Sequence, residues 1–172
     1  VVPTIREALP EDARALAEIH VRSWQAAYRG KLTDEYLDGL SPEEREERWR
    51  EVLAKPPPAW RTWVAEDRGA VIGFATTGRS EDADADRHTG EVFAIYLDPE
   101  AVGTGIGRGL FAHAVEDLRE RGFRTATLWV LETNADARRF YEVAGWKTDG
   151  ARTTQRIDCE SRPTVRYRVG LA

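Results

Sequence analysis

The stretch that most constrains this chain runs from Glu91 to Gly122. An apolar segment, Glu-Val-Phe-Ala-Ile-Tyr-Leu, is stopped by Pro99 and followed by alternating glycines at 103, 105 and 107. Ile106, Leu110, Ala114, Val115 and Leu118 then keep helical spacing up to Gly122. A strand, a glycine turn and a helix start in that order aim several backbone N–H groups one way. Glycine also lets a ligand approach without a Cβ in the path. The expectation is an anion site, with a pyrophosphate seated on residues 103–108. The duller reading, a tight turn packed on a sheet, fits less well with alternation directly before a helix.

The rest of the chain reads as one domain over residues 1–172. Val2 to Ala8 reads as a strand, and Pro10-Glu11-Asp12 opens a helix carrying Ala13, Leu16, Ala17, His20, Trp24 and Ala27 on one face. Thr33 caps a short helix with Tyr36, Leu37 and Leu40, and Ser41-Pro42-Glu43-Glu44 starts another. Strand periodicity takes over from Trp60 to Ser80 around the turn Arg68-Gly69. Glu81 to His88 is an acidic loop without an apolar anchor, expected to be solvated, or to form a rim favouring a cationic substrate. Thr125–Val130 is a strand, Asn134 caps a helix closed by Gly145, and Trp146 begins another strand. Residues 149–163 read as a loop or hairpin excursion before a last strand at 165–169. The expected fold class is α/β: a mixed, mostly antiparallel central sheet flanked by helices, in the order βααβββαβαββ.

Composition narrows the function. A net charge of −5 argues against nucleic acid as the main partner. No apolar run approaches a membrane span, and the first residues lack a signal-peptide pattern, so a cytoplasmic location is expected. Cys159 is the only cysteine and the three histidines lack metal-ligand spacing, so no metal is expected. A P-loop needs Gly-Lys-Ser/Thr, and no lysine lies near the loop. A dinucleotide fingerprint needs Gly-x-Gly-x-x-Gly; its third glycine would fall on Arg108 or Leu110.

Two tracts instead resemble the GNAT acetyltransferase superfamily. Val102-Gly103-Thr104-Gly105-Ile106-Gly107-Arg108-Gly109-Leu110 matches its loop, Gln/Arg-x-x-Gly-x-Gly/Ala, after the strand-like Ile95-Tyr96-Leu97-Asp98-Pro99. Asn134-Ala135-Asp136-Ala137-Arg138-Arg139-Phe140-Tyr141-Glu142-Val143-Ala144-Gly145-Trp146 matches a second signature, Asn-x-x-Ala-x-x-x-Tyr-x-x-x-Gly-Phe. The departures are Val102 in place of Gln or Arg and Trp146 in place of Phe. The first removes a polar side chain beside the pyrophosphate.

The resemblance implies transfer of the acetyl group of acetyl-CoA directly to a primary amine of a small molecule. It implies cofactor contacts from Ile95, Tyr96 and Leu97, from Val102, Gly103, Thr104, Gly105, Ile106, Gly107 and Arg108, and from Asn134, Ala137 and Tyr141. Tyr141 would protonate the departing thiolate, against the plainer reading of a packed core tyrosine. Trp24 and Tyr28 would line the acceptor pocket, against plain core packing. Candidate bases for the amine are Glu91, His20 and Glu132; Glu91 leads because strand parity sets it on the face of Phe93 and Ile95. Its plain reading is a solvated strand end, and a water chain would also serve. Acetylation of a peptide N-terminus or lysine and a non-catalytic acyl-CoA-binding module stay open. Dimerisation, common among relatives, would use the last strands.

Overall fold

The computed structural model describes residues 2–172. Strand β1 (Thr4–Glu7) leads through a 3-10 turn at Pro10–Asp12 into helix α1 (Ala13–Tyr28). Helix α2 (Asp34–Asp38) is started by Thr33, whose hydroxyl accepts from the Tyr36 N–H at 3.2 Å. Helix α3 (Pro42–Ala54) is started by Ser41, accepting from the Glu44 N–H at 3.3 Å. Strands β2 (Arg61–Asp67), β3 (Ala70–Arg79) and β4 (Thr89–Leu97) follow. Helix α4 (Ile106–Glu120), β5 (Thr125–Leu131), α5 (Ala135–Val143), β6 (Lys147–Ile157) and β7 (Glu160–Gly170) complete the chain. Three helices thus precede β2, one more than the order written from the sequence, because the Thr33 segment stands as its own helix.

The seven strands form one sheet in the order β1-β2-β3-β4-β5-β7-β6. Only β4 and β5 run parallel; every other neighbouring pair is antiparallel. One face carries α4 and α5 over Phe111, Leu118, Leu128, Trp146 and Tyr167. The other carries α1, α2 and α3 over Leu16, Ile19, Val64 and Phe74, with a second cluster of Tyr28, Leu32, Leu37, Leu131 and Ile157. Helix α4 comes close to the sheet because Gly107 leaves room for Leu97: a Cβ there would stand 2.7 Å from Leu97 Cδ1.

Of the two readings of residues 149–163, the hairpin is the one that forms. Ile157 pairs Glu160 across Asp158 and Cys159, both with positive φ, as two-residue hairpin turns require. The Asp158 carboxylate accepts from the Thr33 N–H and hydroxyl at 3.1 and 2.8 Å, tying the hairpin tip to the start of α2. No helix among the described residues is long and apolar enough to cross a membrane.

Candidate functional site

Strands β4 and β5 pair over three residues only, Thr89 with Thr125, Gly90 with Ala126 and Glu91 with Thr127. Beyond that they part, while each keeps its outer neighbour, β3 or β7. From Val92 to Leu97 the inner edge of β4 is therefore an unpaired edge about 17 Å long. Its N–H and C=O groups face a cleft and need partners. A cavity of about 580 Å³ fills the wedge. Its walls are the diverging strands, α1 through Trp24 and Tyr28, and α5 through Ala137 and Tyr141, with Asn134 beside them.

A β-bulge gives β4 its shape at the apex. The register with β3 slips so that Thr77 faces Val92 and Thr76 faces Ala94, leaving Phe93 as the extra residue. Phe93 stacks on Trp60 with ring centroids 4.7 Å apart. The bulge also overturns the parity argument for Glu91. Val92 and Ile95, three positions apart, pack in the same core cluster. Side chains alternate along a strand, so Glu91, next to Val92, does not share the face of Ile95.

At the wide end of the cleft, Gly103 and Gly105 take φ of +82° and +89°. L side chains rarely adopt this region, and an added Cβ at either glycine would meet nothing within 4 Å. Among the described residues the backbone N–H groups of Gly103, Gly105, Ile106, Gly107 and Arg108 have no backbone partner; the bonding of α4 starts with Gly109 N–H to Gly105 O at 3.2 Å. Five donors thus gather at one helix start. The glycines divide the work: Gly103 and Gly105 shape the turn, while Gly107 is buried against Leu97. The side chain of Ile106 packs into the core and that of Arg108 lines a separate groove between α4 and α5. That groove, of about 730 Å³, does not have Tyr141 among its walls. Val102, 65% exposed, lies on the rim of the cleft.

Tyr141 is buried, and burial, with Tyr96 and Tyr28 nearby, holds its phenol well above the usual value. It keeps its proton at neutral pH and can serve as a donor. Tyr28 is pushed up to about 12 by burial, partly offset by the hydrogen bond it accepts from Asn134. His20 stacks on Tyr96 at 4.6 Å and is pushed down to about 3 by burial and by Arg45, so it is neutral. Glu132 is engaged by Arg152 at 2.8 Å.

Glu91 lies at the apex, 7% exposed. Burial, then the charge of Asp82, pushes its carboxyl up to about 7; Ser80 and Arg166 pull the other way. It does not itself line the cavity, whereas the next residue, Val92, does. The loop over it is anchored rather than merely solvated, contrary to the expectation for 81–88. Arg166, 5% exposed, reaches Asp82 at 3.1 Å, Asp84 at 2.6 Å and Asp149 at 2.7 Å. The Trp129 Nε1–H donates to both Asp82 oxygens at 3.1 Å, and the Arg166 guanidinium lies over the Trp129 ring.

The cleft thus brings together Trp24, Tyr28, Ile95, Tyr96, Leu97, Val102, Asn134, Ala137 and Tyr141. The loop residues Gly103, Thr104, Gly105, Ile106, Gly107 and Arg108 follow Val102 directly in the chain. Sequence reasoning missed Gln155 of β6, which also lines the cleft, and the Asp82–Arg166–Trp129 cluster behind Glu91. Only an alternating pattern through 150–157 would have exposed the first, and the second joins residues too distant in sequence to read. Among the described residues no group of His, Cys, Asp and Glu is arranged to hold a metal.

Comparisons with known proteins follow the same outline. The model of the Acetyltransferase (GNAT) family matches residues 14–146. The N-acetyltransferase YuaI of Bacillus subtilis is 39% identical over 134 residues, covering 76% of this chain and 73% of that protein. A mycothiol acetyltransferase of Thermobispora bispora is 40% identical over 91 residues, 51% of this chain but only 31% of that longer protein. Among solved structures, the PaiA N-acetyltransferase of Thermoplasma acidophilum in complex with coenzyme A aligns with a TM-score of 0.75. It is 21% identical and the alignment covers 96% of this chain and 98% of that one, a likeness of fold.

Proposed function

This chain belongs to the GNAT family of acetyltransferases, and from that premise we propose that it moves the acetyl group of acetyl-CoA directly to a primary amine of a small molecule, as a single domain over residues 1–172. The observation that carries the reading is the parting of β4 from β5 beyond Glu91, with five unpartnered N–H groups at 103–108. A diphosphate suits those donors, since glycine backbone and a helix start favour negative charge. A pantetheine arm, with its alternating amides, suits the free edge of β4 at Ile95, Tyr96 and Leu97. Val102 takes nothing essential away, because backbone groups supply the donors. Acetyl-CoA brings an acyl group activated on a fair leaving group.

The protein's own part is positioning and proton handling. Unpaired N–H groups of β4 would polarise the thioester carbonyl. Tyr141, held protonated by burial, would give its proton to sulfur. Glu91, with a carboxyl near 7, is matched to taking the proton of an amine, through water because it stands behind the cleft wall.

A small acceptor is favoured over a peptide because side chains from both sides, Trp24 and Tyr28 from α1 and Gln155 from β6, line the one cavity. The mycothiol acetyltransferase relative bears a small-molecule name, in keeping with this. The test is acetyl-CoA with panels of small primary amines and of peptides, following free thiol and acetylated product. Transfer to small amines is expected. Transfer to peptides alone would replace the acceptor class, and binding of acetyl-CoA without transfer to either panel would leave a binding module.

A further inference from the structure

Asn134 caps α5 with its side-chain oxygen: Oδ1 accepts from the Ala137 N–H at 3.3 Å. Only an acceptor can satisfy that orphan N–H, so the cap fixes which end of the amide is oxygen. The nitrogen end must then face the other way, where Nδ2 donates to the Tyr28 hydroxyl oxygen at 3.0 Å. Tyr28 is thereby held as an acceptor toward Asn134, and its own hydrogen has to point elsewhere. Among the described residues no side chain or carbonyl accepts it. The Tyr28 ring is pinned by Trp24, 4.8 Å away, and by Leu32, Leu37 and Leu131. Its side chain lines the same cavity as Tyr141.

We propose that Tyr28 is a second phenolic donor of the transferase site, its hydroxyl hydrogen aimed by Asn134 at the point where the departing sulfur collects negative charge. The inference rests on the acetyl transfer proposed above. A donor on the attacking amine would tie up the lone pair needed for attack, and the carbonyl oxygen, which also gains negative charge, is served by the β4 N–H groups in the transfer proposed above, which leaves the sulfur. The phenol stays protonated at neutral pH, and its neighbourhood to Tyr141 adds to the displacement of the latter. In the transfer a C–N bond forms and the C–S bond breaks, its electron pair leaving on sulfur. The amine's proton passes through water to Glu91, and sulfur takes its proton from Tyr141, which recovers one from solvent. Tyr28 keeps its proton and contributes a hydrogen bond alone.

The test compares wild type with Tyr28→Phe, Asn134→Asp and the double variant, reading kcat, the KM for acetyl-CoA and the melting temperature. Asn134→Asp keeps an oxygen for the cap but offers Tyr28 an acceptor, drawing its hydrogen away from the cavity. Each single variant is expected to lose roughly tenfold to a hundredfold in kcat, as loss of one charge-facing donor does. Tyr28→Phe should leave KM for acetyl-CoA within about threefold, because it alters none of the cofactor contacts named above, while Asn134→Asp, at one of those contacts, is read on kcat and on its coupling to Tyr28→Phe. The double variant should be no worse than the worse single one, since both remove the same hydrogen bond. A Tyr28→Phe enzyme within twofold of wild type overturns the inference and leaves the transfer reading standing. So does an Asn134→Asp enzyme with wild-type kcat, or losses that multiply in the double variant. A wild-type protein that acetylates no amine sinks the transfer reading and this inference with it.

Discussion

Asp82 and Arg166, 84 residues apart, meet at 3.1 Å behind Glu91, with the Trp129 indole donating to both oxygens of the same carboxylate. The pair fixes one negative charge where it acts on the buried Glu91 carboxyl, and burial does the larger part. A base must be ionised to work, so kcat/KM is expected to rise with pH through about 7. Asp82→Asn removes a like charge, while Arg166 keeps Asp84 and Asp149 as partners. The acidic limb should then move down by about one pH unit. A pH–rate series on the two proteins reads this, and a limb that stays in place would separate Asp82 from the base.

The same displacement has a consequence for stability. The folded state raises the carboxyl of Glu91 above its unfolded value near 4.5, so folding favours the protonated form. The stability this carries is fully present below about 4.5 and is lost as pH rises through about 7. Glu91→Gln carries no proton to lose. It should therefore melt higher than wild type at pH 8, with the gap closing toward pH 4, and should lose the acidic limb of the rate profile. Thermal melts at the two pH values check the sign.

Tyr141 is buried with its phenol pushed up, so it stays protonated at neutral pH. Tyr141→Phe should lower kcat about tenfold or more while leaving acetyl-CoA affinity within a few-fold. An unaltered kcat would retire it as the acid.

Gly107 and Gly109 lie two residues apart on α4 and should respond in opposite directions to alanine. Leu97 is pressed between Gly107 and Gly73, where added Cβ atoms would fall 2.7 and 2.5 Å from its methyl groups. With no room to retreat, Gly107→Ala should destabilise by about 1–3 kcal/mol, the usual range for overpacking. Gly109 is exposed and a Cβ there meets nothing within 4 Å. Gly109→Ala should stabilise by about 0.5–1 kcal/mol. Denaturant unfolding of both variants decides the pair.

Much of the fold was legible because its punctuation is local. Pro42 after Ser41, Asn134 ahead of an apolar helical face, and the glycines at 103 and 105 each announce an element through short-range chemistry. The β6–β7 hairpin was legible only as one of two readings of 149–163, because its turn uses Asp158 and Cys159 at positive φ instead of a glycine, and β6 is exposed along nearly its whole length. The bulge at Phe93 was hidden: the strand reads as regular, and only the packing of Trp60 and the register with β3 reveal the extra residue. That is why the face of Glu91 was misjudged while its burial and setting could not be foreseen. Arg166 looked like one of many surface arginines until three aspartates from two other segments closed around it.

The cleft between β4 and β5, with the N–H groups of residues 103–108 at its mouth, is proposed to hold acetyl-CoA. Calorimetric titration of acetyl-CoA into wild type and Gly105→Asp tests it most directly. Gly105 has a φ of +89° and open space around it, so aspartate can enter there at modest strain but sets a negative charge against a diphosphate. Saturable binding to wild type is expected, with loss of that binding in a variant whose melt shows it folded. Equal affinity of the two proteins for acetyl-CoA would contradict the proposal.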